Sequence, residues 1–352
     1  MERHTIAFLS GGSVEHRATR AVDYRWSGYP CGFTFGLDRQ ARRVKEPVVF
    51  EKIVVGYSGD EAGRDAVKLC AQIAAALGSE VTVVYPYSPL LSSVPAQAAE
   101  RGICEELREL LPGSEMPADA TYHWSSSSWP IHALQSMAEY EDAQLIVIGA
   151  SREGIAGHLR IGLMERMVHG APCAVLVAPA GYAERDSGGL GRVGVGFTDS
   201  AEARAALRAG YGLAEVLDGE LSVTVASGLG IFARSYAAQA AMVSELELET
   251  YAAAKASLES AVADLGGAVA VHTQTVEGDD AADVLVDRSR ELDLLVLGSR
   301  GYGPVRRTLL GSVSATVMRE AACPVLVLPR GCQTDAEEPG IIEGASVGIA
   351  AD

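Results

Sequence analysis

Two glycines, Gly298 and Gly301, are followed after nine further residues by the pair Gly311-Ser312. Glycine lets a backbone approach a ligand closely or take a positive φ, so Gly301 and Gly303 suit a loop that wraps something. A Gly-Ser pair opening a helix presents free N–H groups at the positive end of the helix dipole, and both attract anions. Ser312 and Ser314 add hydroxyl donors, and Val313 lies in the same first turn. Arg300 and the pair Arg306-Arg307 place positive charge in the loop. The chemistry that this set suits is the holding of a phosphate group. The spacing is not a P-loop, because no Gly-Lys-Ser/Thr occurs. Nor is it the dinucleotide fingerprint, because it follows a late strand instead of the first. A tight turn that packs a helix closely onto a sheet would use the same glycines, and the loop alone does not separate the two readings.

The elements that must carry this loop are written twice. Apolar runs at 294–297 and 325–328 flank the loop, and matching runs stand at 145–148 and 174–178, roughly 150 residues earlier. The earlier copy keeps Gly149, but Arg152 replaces the second glycine, and the Gly-Ser pair is lost at 161–163. Arg152, His158 and Arg160 fit either an anion contact or a solvated surface. Periodicity predicts strands over 52–57, 80–85, 118–124, 143–148 and 174–178, alternating with helices over 62–77, 105–111, 131–140 and 164–169. The second copy repeats the order, with strands over 192–197, 220–226, 268–276, 294–297 and 325–328 and helices over 201–217, 235–265, 281–291 and 312–320. Alternation of this kind implies parallel strands joined by right-handed crossovers, and strands apolar on both faces imply helices on both sides. Each copy is therefore expected to be a five-stranded doubly wound α/β domain, the first over 50–180 and the second over 192–330, joined by a linker over 181–191. Residues 1–49 lack any period and read either as a disordered extension or as a stretch upstream of a later start near Val44. The acidic tail over 331–352 reads as disordered.

The chain has 352 residues and a formal net charge of −17. An acidic surface repels phosphate backbones, which argues against nucleic acid as a partner. The six cysteines form no CxxC pair and none stands near a His at metal-ligand spacing. Cys173 and Cys323 begin matching strands and read as small core residues, consistent with reduced thiols and a cytoplasmic protein. No apolar run is long enough to span a membrane, and the run at 5–9 is too short for a signal-peptide core.

The loop, the Cys-Pro-Val-Leu-Val strand from Cys323 and the repeat order resemble the universal stress protein family in its tandem form. Its ATP-binding members carry Gly-x-x-Gly, nine residues, then Gly-Ser/Thr, and residues 298–312 match that spacing. The resemblance covers about 50–330. It implies a strand order of 3-2-1-4-5 in each half, adenine nucleotide (ATP, with or without Mg²⁺) at the strand ends, and a pairing of last strands that would make the two halves an internal pseudo-dimer. Further homodimerisation is compatible with it. Family members that bind ATP carry an Asp after the first strand. Ser58 and Thr198 stand there in this chain, and the neighbouring Asp199 either takes that role or joins Ser200 in capping a helix.

No nucleophile signature accompanies the seven scattered His residues, and no catalytic residue is assigned. His272 reads as a structural strand residue. The acidic run 277–280 fits a helix N-terminus or a metal that accompanies ATP. Three functions are compatible with these residues: a nucleotide-binding stress-response regulator with one competent site in the second half, a slow ATPase at the same site, or an interaction scaffold whose glycines only shape turns.

Overall fold

Short Val-, Leu- and Ile-rich runs alternate with Ala-rich amphipathic helices along the chain, and the computed structural model shows the architecture they build. It describes residues 50–86, 117, 120–125, 130–150, 164–185, 188–227, 252–253, 255–265, 267–277, 280–299 and 310–329. The first repeat contributes β1 (Lys52–Gly56), α1 (Glu61–Leu77), β2 (Glu80–Pro86), β3 (Thr121–Ser125), α2 (Pro130–Glu141), β4 (Leu145–Gly149), α3 (164–170) and β5 (Ala174–Ala178). The second contributes β6 (Arg192–Gly196), α4 (Ala201–Val216), β7 (Glu220–Ser227), α5 (255–263), β8 (Ala270–Glu277), α6 (Ala281–Arg288), β9 (Leu294–Gly298), α7 (Ser312–Glu320) and β10 (Val325–Leu328).

Helix ends obey local chemistry. The Asp60 carboxylate accepts the Gly63 N–H at 3.0 Å, the Ser200 hydroxyl accepts the Ala203 N–H at 3.1 Å, and Asp280 accepts the Ala282 N–H at 2.9 Å. Each gives an orphan donor of the first turn a partner. Asp280 thus serves as a helix cap, one of the two roles open to the acidic run at 277–280. Gly78, at φ 70°, ends α1 in the left-handed conformation that glycine adopts without strain, and its N–H bonds to the Ala74 carbonyl.

The ten strands form one sheet of order β3-β2-β1-β4-β5-β10-β9-β6-β7-β8. Within each repeat this is 3-2-1-4-5, all parallel. The repeats join where β5 and β10 run antiparallel, with Leu176 opposite Leu326 between the flanking pairs Val175–Val327 and Val177–Val325. These side chains are essentially fully buried. Each buried Val or Leu contributes about 2 kcal/mol relative to exposure, so the seam is held by apolar packing as well as by its backbone ladder.

A helix layer covers each side. On one, α1 and α4 bury Leu69, Ile73, Leu207 and Leu213 against Ile53, Val55, Val193 and Val195. On the other, α2, α3, α6 and α7 place Leu134, Met167, Leu285 and Val317 against Val54, Ile146, Leu295 and Val327. Both clusters contain residues of both repeats, so neither repeat has a core closed on itself.

The stretch after β5 is anchored to the first repeat. Asp65, on the buried face of α1 at 2% exposure, accepts the Gly181 and Ala183 N–H groups at 2.8 and 2.7 Å. The Tyr182 hydroxyl donates to Gln72 Oε1 at 2.5 Å, and burial pushes the Tyr182 hydroxyl up to about 12. Arg185 reaches the Ala322 carbonyl of the second repeat. The matched position to Asp65 in α4 is Ala205, which offers no such acceptor.

Boundaries move by a few residues from the sequence-based expectation, as at β3 and β8, where polar positions blur the alternation, and at the end of α6. The helix expected over 105–111 and most of that expected over 235–265 lie outside the described residues, as do the extension and the tail.

Candidate functional site

At the carboxyl end of a doubly wound sheet, a crevice opens between neighbouring strands whose succeeding helices lie on opposite faces. In the second repeat those strands are β6 and β9, paired from Val193–Leu294 to Val195–Val296. The helix after β6, α4, packs on one face, and the helix after the β9 loop, α7, packs on the other. Thr198 and Asp199 leave β6 and Gly298 ends β9, so the two strand ends stand side by side. Arg300, Gly301 and Gly303 lie outside the described residues, with Arg306 and Arg307.

Gly298 has a packing role. A Cβ there would come 2.6 Å from the Glu202 carbonyl oxygen in the first turn of α4. In the first repeat, a Cβ on Gly149 would overlap the Ala62 carbonyl in the first turn of α1. The first glycine of each copy therefore lets a helix backbone rest on the strand end.

The residue after this glycine differs between the copies. Ser299 is 1% exposed, and its hydroxyl has no hydrogen-bond partner among the described residues. An unpaired buried hydroxyl costs about 1–3 kcal/mol, so it marks a place where a partner is expected. Ser314, 6% exposed, donates to the Gly298 carbonyl at a long 3.4 Å. Aligned through Gly149 and Gly298, Ser299 matches Ala150, and aligned through Cys173 and Cys323, Ser314 matches Met164; both matched residues are buried and apolar.

Gly311 is the N-cap of α7, with φ −72° and ψ 156°. That backbone is open to any residue, so no strain demands glycine. Unlike Asp60, Ser200 and Asp280, Gly311 offers no side-chain acceptor to the first turn. The N–H groups opening α7 thus receive no side-chain cap from their N-cap residue. Ser312 is exposed and Val313 is half-buried against the apolar cluster on the α7 side.

On the β6 side, Ser200 is the N-cap, so Asp199 is released from that duty. Its carboxylate accepts from Ser257 at 2.7 Å and from Arg204 at 3.1 Å. The hydrogen bond from Ser257, then that from Arg204, holds the Asp199 carboxyl below its ordinary range. The Thr198 hydroxyl lies 3.4 Å from the Ser200 hydroxyl. Both Thr198 and Asp199 are exposed at the crevice mouth.

Sequence reasoning missed Ser299, because a lone serine between two glycines carries no signal until its burial is known. It missed Asp65 as well, although a carboxylate on the apolar stripe of α1 was a legible anomaly. His272 lies on the outermost strand β8, largely exposed, with Nε2 3.6 Å from Glu220. Among the described residues no cluster of three or more His, Cys, Asp or Glu could hold a metal, and no helix is long and apolar enough to cross a membrane. The buried Cys323 thiol is pushed up to about 12 by burial, which makes it a packing group instead of a nucleophile.

The profile of the universal stress protein family matches the chain twice, over residues 50–179 and 189–329. The chain belongs to the universal stress protein family. A universal stress protein of Mycobacterium tuberculosis is 27% identical over 298 residues, covering 79% of this chain and 99% of that protein, so the likeness runs through both repeats. A universal stress protein of Archaeoglobus fulgidus superposes with a TM-score of 0.54 at 18% identity, covering 80% of this chain and 99% of that one. A Pseudomonas aeruginosa protein of unknown function gives 0.55 at 17% identity, covering 81% and 95%. At those identities the likeness is one of fold, and it extends over two tandem domains.

Proposed function

We propose that this tandem universal stress protein is a regulatory protein that binds adenine nucleotide at the carboxyl ends of β6 and β9. The observation that carries the reading is the buried Ser299 hydroxyl after Gly298, without a partner among the described residues, beside the lack of a side-chain cap at Gly311 of α7. Triphosphate oxygens are strong acceptors, and they suit a donor set of Ser299, Ser314, Ser312 and the first-turn N–H groups of Gly311, Ser312 and Val313. Thr198 and Asp199 stand where the ribose and adenine would lie, with Asp199 offering an acceptor to a ribose hydroxyl. The loop residues Arg300, Gly301 and Gly303 complete the site on the strength of their spacing. In the first repeat, Ala150 and Met164 supply no donor, so one competent site per chain is the expectation. The chain's own residues bind and orient; none of those described is placed as a general base, so nucleotide turnover is at most slow. A scaffold without nucleotide is the remaining reading, and no observation favours it over binding.

The test is titration of the full chain with ATP and Mg²⁺ by calorimetry, beside mass spectrometry of the gently denatured protein for carried-over nucleotide. Binding near one equivalent per chain is expected. Gly311→Val, tolerated by the extended backbone at that residue, should weaken it by about tenfold or more, roughly 1.4 kcal/mol. Two equivalents per chain, or unchanged affinity in the variant, would overturn the assignment. Release of phosphate from bound ATP separates the slow ATPase from the regulator.

A further inference from the structure

Among the described residues, one side chain of the first repeat accepts a hydrogen bond from the backbone that leads into Gly311 of the second. His169, on α3, has Nδ1 2.5 Å from the Glu165 carbonyl oxygen one turn earlier. A carbonyl only accepts, so Nδ1 carries the proton, and in the neutral ring Nε2 is then an acceptor. The backbone N–H of Leu310 donates to that Nε2 at 3.3 Å. Leu310 is the residue immediately before Gly311, the N-cap of α7. The two hydrogen bonds fix the tautomer and the ring together, and they tie an amide of the second repeat to a helix of the first across 141 residues of chain.

A second tie lies at the other end of the same helix. Arg319, in the last turn of α7, lies 3.8 Å from the Glu165 carboxylate. Between the two ties, Met164, Met167 and Val168 of α3 share a buried cluster with Val317 and Met318 of α7. Helix α3 thus holds the residue that leads into the N-cap of α7 and the last turn of α7. His169 and Arg319 occupy matched places, each four residues before the cysteine that precedes its last strand. The two repeats use the same place to reach each other, with different chemistry: only the histidine ends on the backbone of the loop.

We propose that His169 is a positioning residue for the nucleotide site of the second repeat, acting through the Leu310 N–H to fix the backbone that enters Gly311-Ser312. This rests on the nucleotide reading given above. Donors fixed in place before binding avoid the ordering cost that a loose loop would meet, so affinity is gained without any contact between His169 and ligand. The repeat with the altered loop is on this view a working part of the intact site.

The test uses the full chain in three forms: wild type, His169→Leu and His169→Gln. Leucine fills the space but accepts no hydrogen bond, whereas the Gln Oε1 reaches about as far as Nε2. Two measurements are made: hydrogen exchange of the Leu310 amide without nucleotide, and the dissociation constant for ATP with Mg²⁺. His169→Leu is expected to speed Leu310 exchange and to weaken ATP about fivefold, the scale of one lost hydrogen bond. His169→Gln should restore both to within about twofold of wild type. If His169→Leu does not fold, His169→Asn, polar but too short to reach Leu310, takes its place with the same expectation. A variant whose Leu310 amide exchanges faster while ATP affinity stays at the wild-type value overturns the positioning role alone. So does a loss of affinity that glutamine fails to restore. Wild type that binds no adenine nucleotide overturns the reading of the site, and this proposal with it.

Discussion

The carboxyl end of β4 and the carboxyl end of β9 begin alike and diverge within a few residues. Both end in a glycine, Gly149 or Gly298, on which the first turn of α1 or α4 rests. Both continue into a buried small residue, but it is Ala150 in one repeat and Ser299, with an unpartnered hydroxyl, in the other. Met164 against Ser314 repeats the contrast. The first glycine of the motif is therefore a requirement of the sheet and says nothing about ligand. The polar residues behind it carry the information, because a buried hydroxyl is costly unless something pairs with it.

The largest effect that would test this comparison comes from the glycines themselves. Gly149→Val and Gly298→Val should each destabilise the chain by about 3 kcal/mol or more, since the added atoms meet helix backbone that cannot swing away. Denaturant unfolding of the two variants should give similar losses. A Gly298→Val chain of wild-type stability would break the comparison by showing that the glycine spares room for ligand alone.

Next is the asymmetry between Asp65 and its matched Ala205. Asp65→Ala removes the acceptor of two backbone N–H groups, and about 2 kcal/mol should be lost. Limited proteolysis should then cut within 180–191 faster than in the wild type. Equal resistance in both proteins would show that the linker is anchored by something other than this carboxylate.

Exchanging the small residues sharpens the central contrast through its sign. Ser299→Ala should raise the stability of the nucleotide-free chain by up to about 1 kcal/mol, because it deletes an unpaired buried hydroxyl. The same change should diminish the rise in Tm on adding ATP. Ala150→Ser should lower stability by a similar amount, with no gain in nucleotide binding. Thermal unfolding with and without ATP reads all four outcomes, and a Ser299→Ala chain that is less stable without nucleotide would count against the orphan hydroxyl.

The smallest effect concerns Asp199, whose counterpart in the first repeat is Gly59, a residue that cannot titrate. With its carboxyl pKa held low by Ser257 and Arg204, Asp199 contributes stability above the ordinary carboxylate value of about 3.9, and that contribution is lost as pH falls through the depressed value. Carbon-13 shifts of the carboxyl group should place its midpoint below the ordinary range, and Ser257→Ala should move it upward. An unmoved midpoint in that variant would remove the hydroxyl as the cause.

The architecture was legible because apolar runs and helical periods report directly on burial, and the repeat stated the organisation twice. Val175–Val177 and Val325–Val327, apolar on both faces, read as covered strands, while their pairing was implied by the family resemblance. The site was legible only as spacing. Gly298 and Gly311 have identities that spacing reveals and reasons that it does not, since one is set by the Glu202 backbone and the other by no backbone strain at all. Ser299 and His169 were invisible for a different reason. Their importance lies in a missing partner and in a contact with Leu310 far along the chain, and neither leaves a periodic trace.

The antiparallel β5–β10 seam brings together parts that would otherwise be separate molecules, and it does so inside one polypeptide. Two separate chains associate by mass action, so their pairing weakens on dilution. Here the partner is delivered by covalent connection, and its effective concentration is set by the few residues between β5 and β6. The pairing of an altered loop with an intact one is accordingly insensitive to how much protein a cell contains. Its stoichiometry is written at translation, one altered loop to one matching the family spacing in every chain.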